Sequence, residues 1–109
     1  MEEPKSFGQI VQEKRKENGW NVKDFIEKLG VVSKEGRMIS APYITRIEVH
    51  GEIPTPEVII RIAEVLNCNE EDMLKIARDN KVKTISQTLK RKYATAYGLY
   101  RKSKGGKNE

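Results

Sequence analysis

Apolar residues recur along this chain at spacings of three and four, and they come in short blocks separated by capping residues and glycines. Phe7, Ile10 and Val11 form a first stripe, opened by Ser6 with Gln9 three residues on and stopped by Asn18-Gly19. Asn21 caps a second block in which Val22, Phe25, Ile26 and Leu29 face inward, closed by Gly30. A third block starts near Ser40 and buries Ile44 and Ile47, with Ile39 and Ile44 placed as a hydrophobic staple. Pro42 lies in its first turn, where a missing N–H costs little, although it biases Ala41 away from the helical region and can shift the start by a residue. Thr55-Pro56 begins a fourth, with Ile59, Ile62, Ala63 and Leu66 at i, i+3, i+4 and i+7. Asn69 and Asp72 open a fifth, carrying Met73, Leu74 and Ala77. Thr84 with Gln87 predicts a separate sixth helix whose stripe is Ile85, Leu89, Tyr93, Ala96 and Tyr100, with Gly98 weakening its end and "KSKGGKNE" a disordered tail beyond it.

The segment "VVSKEGRMI", Val31 to Ile39, breaks this pattern. β-favouring residues at both ends flank Lys-Glu-Gly, which suits either a short two-stranded ribbon turning at Glu35-Gly36 or an irregular loop. No other segment alternates like a sustained strand, and no internal repeat is visible, so the expected class is all-α.

Composition narrows the functional classes. The chain has 109 residues, 37% hydrophobic and 34% charged, enough for one modest core. No apolar run approaches the length of a membrane span, and "MEEPKSFGQI" has no secretory pattern, so a cytoplasmic protein is expected. The single cysteine, Cys68, forms no internal disulfide and reads as a small buried core residue. With one histidine, His50, and neither a phosphate-cradling glycine loop nor metal-ligand spacing, the sequence suggests no enzyme, no metal site and no cofactor.

Charge is distributed unevenly. Residues 1–80 carry twelve Lys/Arg against fifteen Asp/Glu, a net −3, whereas residues 81–109 carry nine against one, a net +8. This divides the chain into a domain over 1–80 and a basic C-terminal helix and tail over 81–109. A surplus confined to one end suits a polyanionic partner, or equally a solvated terminal helix.

Two short helices, a turn, and a third helix with an exposed front suggest a helix-turn-helix. From Phe7 to about Leu74 the sequence resembles the lambda-repressor/Cro-like family, also called the xenobiotic-response-element family. The matching stretches are "FGQIVQEKRKENGW", "NVKDFIEKLG", "ISAPYITRIE" and "GEIPTPEVIIRIAEVLNCNEEDML", in the family's order. The resemblance implies a five-helix domain that binds double-stranded DNA, typically as a homodimer, and regulates transcription. Three positions depart from the family pattern. Val22 stands where a phosphate-contacting glutamine is usual, a segment of roughly Val32 to Ile39 lengthens the turn before the third helix, and His50 stands where a glycine is common, with Gly51 next.

By this resemblance the third helix presents Ser40, Ala41, Pro42, Tyr43, Thr45 and Arg46 to base edges in the major groove. Arg46 suits a bidentate guanine contact, and Thr45 offers a hydroxyl or a methyl. The alternatives are that Tyr43 packs on the inserted segment and Arg46 pairs with a nearby acid. Phosphate contacts are expected from Asn21 and Lys23 at the start of the second helix, and from Lys34 and Arg37 on the insertion. Glu48 is expected to partner an arginine or a helix end. On the last helix the apolar stripe suits pairing with a second copy, while Lys90, Arg91 and Lys92 suit the DNA backbone or simply solubility. A protein partner is the competing reading: an antitoxin-like or regulator-binding module on the same fold with weak DNA binding.

Overall fold

The computed structural model describes residues 4–32 and 35–108, the last ten or so by backbone course alone. Five helices follow one another: α1 (Phe7–Glu17), α2 (Val22–Leu29), α3 (Ala41–His50), α4 (Pro56–Leu66) and α5 (Glu70–Asn108).

The helix starts follow the capping chemistry of the sequence. Ser6 Oγ accepts from the Gln9 N–H at 3.2 Å, and the Ser6 N–H donates to Gln9 Oε1 at 2.8 Å, a complete capping box. Asn21 and Asp24 make a second reciprocal box at α2. Ser40 Oγ accepts from the Tyr43 N–H, so α3 begins at Ala41 with no slip, and Pro42 sits in its first turn. Thr55 caps α4 without a side-chain bond, and Asn69 Oδ1 accepts from the Asp72 N–H at the head of α5. At the end of α3 the chain reverses at Gly51 (φ 74°), one residue beyond the helical His50, which explains why a histidine is accommodated there.

The core draws on every helix. Phe7 and Val11 of α1, Phe25 and Leu29 of α2, Ile44 and Ile47 of α3, four residues of α4, and Met73 and Ala77 of α5 are all buried. Ile39 and Cys68 pack against this cluster half-buried, so Cys68 lies at the edge of the core rather than inside it. α1 crosses α3 at Gly8, where a Cβ would stand 2.1 Å from the Ile47 carbonyl oxygen; only a hydrogen fits between the two backbones.

Two further expectations change. The ribbon at Val31 to Ile39 reduces, among the described residues, to one antiparallel bridge between Val31 and Met38, with Gly36 at φ 78°. The separate sixth helix is not present. α5 continues unbroken through Thr84 to Asn108, so the expected cap at Thr84 is helix interior and the tail expected to be disordered is helical as far as Asn108. What changes near residue 80 is packing. The Phe7 N–H donates to Asn80 Oδ1 at 2.7 Å, tying the start of α1 to α5, and from Lys81 to Ala96 every residue is exposed.

Candidate nucleic-acid interface

α3 lies across α1 and is held from behind. Ile44 and Ile47 are fully buried, and Glu48 turns inward to Arg15 of α1, whose Nε and Nη2 donate to the two carboxylate oxygens at 2.8 and 3.0 Å. Arg15 Nη1 also donates to the Trp20 carbonyl at 2.8 Å, so one guanidinium joins α1, the α1–α2 turn and α3. The hydrogen bonds to Glu48 hold the Arg15 guanidinium above its ordinary value, against the opposing effect of burial. Glu48 thus has the arginine partner expected of it.

Locking that face inward turns the opposite one outward. Ser40, Ala41, Pro42, Thr45 and Arg46 are all exposed, and Tyr43 is half-buried with its ring against the core. Of the six expected base-facing residues, five therefore share an open surface and Tyr43 sits at its margin. Val49, 62% exposed, extends the same face by one turn; its spacing from Thr45 and Arg46 would have revealed it in the sequence. The Thr45 hydroxyl donates to the Ala41 carbonyl at 3.2 Å, leaving its methyl and oxygen lone pairs outward.

Arg46 is not free. Its Nε donates to Glu52 Oε1 at 3.2 Å, and its guanidinium lies over the Tyr43 ring, 5.3 Å from the centroid. Burial pushes the Tyr43 phenol up, the Glu52 charge adds to that, and Arg46 opposes it. Tyr43, Arg46 and Glu52 thus form one cluster at the exit of α3. The pairing of Arg46 with an acid is the alternative raised by the sequence, but its partner lies beyond the helix and was not named there.

The phosphate candidates are scattered. Lys23 is exposed at the start of α2. Asn21 spends its side-chain oxygen on the Asp24 N–H, and the Asp24 carboxylate sits over the α2 N-terminus, where it opposes an incoming phosphate. Val22, in the usual glutamine position, is half-buried against the core. Arg37 is exposed, with its Nε 3.7 Å from Glu35 Oε2, whereas Lys34 lies outside the described residues.

Lys90, Arg91 and Lys92 project from the exposed length of α5. On the same helix Ile85, Leu89 and Tyr93 are 47, 45 and 71% exposed, Ala96 is exposed, and Val82, absent from the expected stripe, joins them at 59%. The Tyr100 side chain lies outside the described residues. None of the described helices is long and apolar enough to cross a membrane.

A helix that braces (α1), a helix whose start faces outward (α2) and a following helix with an exposed, capped front (α3) define a helix-turn-helix domain with a lengthened turn. The chain belongs to the helix-turn-helix family, whose model matches residues 11–73, and within it to the lambda-repressor/Cro-like type of DNA-binding regulators. No curated protein and no solved structure matches it significantly.

Proposed function

We propose that this protein is a sequence-specific double-stranded DNA-binding transcriptional regulator that acts in the cytoplasm by occupying an operator. The observation that carries this reading is the open face of α3 (Ser40, Ala41, Pro42, Thr45, Arg46) on a scaffold whose family binds DNA. Residues 1–80 form the DNA-binding unit and residues 81–109 a basic extension. Asn21, Lys23 and Arg37 serve as backbone contacts, as does Lys34 of the insertion, and Lys90, Arg91 and Lys92 add sequence-independent attraction. Two copies associate through the α5 stripe of Ile85, Leu89, Tyr93, Ala96 and Tyr100, setting two α3 helices about one DNA turn apart, on the order of 34 Å. Selection of bound sequences from a random duplex pool, with a salt titration, tests this. The expected product is an inverted repeat whose half-sites are one turn apart.

A second reading is favoured by specific observations: Val22 in place of a hydrogen-bonding residue, Asp24 over the α2 N-terminus, and a net −3 on residues 1–80. On that reading the domain is an antitoxin-like or regulator-binding module, and the same selection yields no enriched sequence.

A further inference from the structure

We propose that Glu52 is a positioning residue for sequence reading: it holds the Arg46 guanidinium so that only its two Nη ends remain for a guanine, and it keeps that charge from settling on phosphate. This rests on the DNA-binding reading above, which names Arg46 as a base contact and gives Glu52 no role.

Glu52 meets Arg46 through both backbone and side chain. Gly51, left-handed at φ 74°, reverses the chain at the end of α3. The reversal brings the N–H groups of Gly51 and Glu52 onto the Arg46 carbonyl, the second at 3.0 Å. From there the Glu52 carboxylate accepts from Arg46 Nε at 3.2 Å. On its own an exposed ion pair restrains a long side chain weakly. Here the carboxylate is carried by backbone already bonded to the same residue, and the Tyr43 ring, half-buried against the core, lies under the guanidinium.

The atoms that these contacts leave open decide the role. With Nε engaged, Arg46 Nη1 and Nη2 have no partner among the described residues. Two N–H donors of that kind match the O6 and N7 acceptors of a guanine. The Arg46 and Glu52 side chains are 49 and 40% exposed, so the fork is reachable from outside while its orientation is held. Restraint before binding lowers the ordering cost of the contact. The carboxylate also sorts targets. A phosphate approaching Arg46 is repelled by the Glu52 charge, whereas a guanine edge carries none. Such repulsion of the wrong target adds specificity without adding affinity.

Two measurements test this, one of them without DNA. In nitrogen NMR spectra of the free protein the Arg46 Nε–H signal should be protected from exchange with water, and Glu52→Ala should broaden it away. Equal signals in the two proteins overturn the proposed restraint. The second measurement uses the duplex selected by the unaltered full chain. There Glu52→Ala should reduce the preference for guanine at the base pair that depends on Arg46 by about three- to five-fold. Affinity for scrambled duplexes should rise, with a salt slope steeper by up to about one. Glu52→Gln, which keeps the acceptor and removes the charge, should restore the guanine preference while scrambled binding stays raised. An unchanged preference in Glu52→Ala overturns this inference alone. In an Arg46→Ala background Glu52→Ala should change the preference no further. A further loss there makes Glu52 itself a base contact, to a cytosine N4, and overturns this inference while leaving the DNA-binding reading intact. A selection in which the unaltered chain enriches no sequence overturns that reading and this inference with it.

Discussion

Arg15 and Glu48 face each other across the α1–α3 contact as a bidentate, buried ion pair, with side chains 9 and 3% exposed. Removing one partner leaves a buried charge without compensation, so Glu48→Ala should lower stability by about 3–5 kcal/mol. Replacing both with apolar residues of similar size, Arg15→Met with Glu48→Leu, should recover most of the loss. Urea unfolding of the two variants measures it, and an equal loss in both would mean that the pair's hydrogen bonds, not uncompensated charge, dominate.

Arg46 separates base reading from simple attraction. A bidentate guanine contact discriminates by about 1–3 kcal/mol, so Arg46→Ala should cost that much on the preferred site and relax preference at one base pair. Neutralising Lys90, Arg91 and Lys92 together should do the reverse, weakening every duplex and flattening the salt dependence. Titrations with specific and scrambled duplexes at two salt concentrations compare them. Equal losses on both duplexes for Arg46→Ala would make Arg46 a phosphate contact.

The lengthened turn is tested through its two cations. Changing Lys34 and Arg37 to Ala should weaken binding to all duplexes alike and reduce the salt slope by roughly one to two. An unchanged slope would leave the insertion as a tolerated loop.

Removing residues 81–109 should leave a folded, monomeric domain. The last core residue is Ala77, and the bond from the Phe7 N–H reaches Asn80, so nothing buried is lost by that cut. Circular dichroism and sedimentation of the truncated chain check both parts; a truncated chain that still dimerises would move the interface off the projecting half of α5.

Tyr43 gives the α3 exit an alkaline signature. Its phenol is held above the ordinary 10.0, so folding favours the neutral form. The stability this contributes is fully present below the unfolded value and is lost as pH rises from there through the folded value. Tyr43→Phe should therefore flatten the decline in stability above about pH 10, and stability measured at several alkaline pH values reads it out. An equally steep decline in the variant would assign that decline to other groups.

The helix starts of this protein were legible in the sequence because a cap is local chemistry. Ser6 with Gln9, Asn21 with Asp24, and Ser40 with the Tyr43 N–H each close within three residues, so no distant partner is needed. The core was legible for the same kind of reason, since spacing alone decides which side chains share a helix face, and every buried hydrophobic residue among those described falls on a stripe read from the sequence.

Tertiary structure decided the rest. Burial on α5 ends near Asn80 although Val82, Ile85 and Leu89 continue an apolar spacing beyond it, and no glycine or proline breaks the backbone before Gly98, so α5 propagates through Thr84 instead of restarting. Glu48 and Glu52 are chemically alike in the sequence; only the fold sends one inward to Arg15 and the other outward to Arg46, thirty-three and six residues from their partners. Gly8 likewise carries no local signal, and its need for hydrogen in place of a side chain arises only where α1 crosses the Ile47 carbonyl. Such pairings depend on how rigid helices stack, and a one-dimensional pattern records the faces of those helices but not which faces meet.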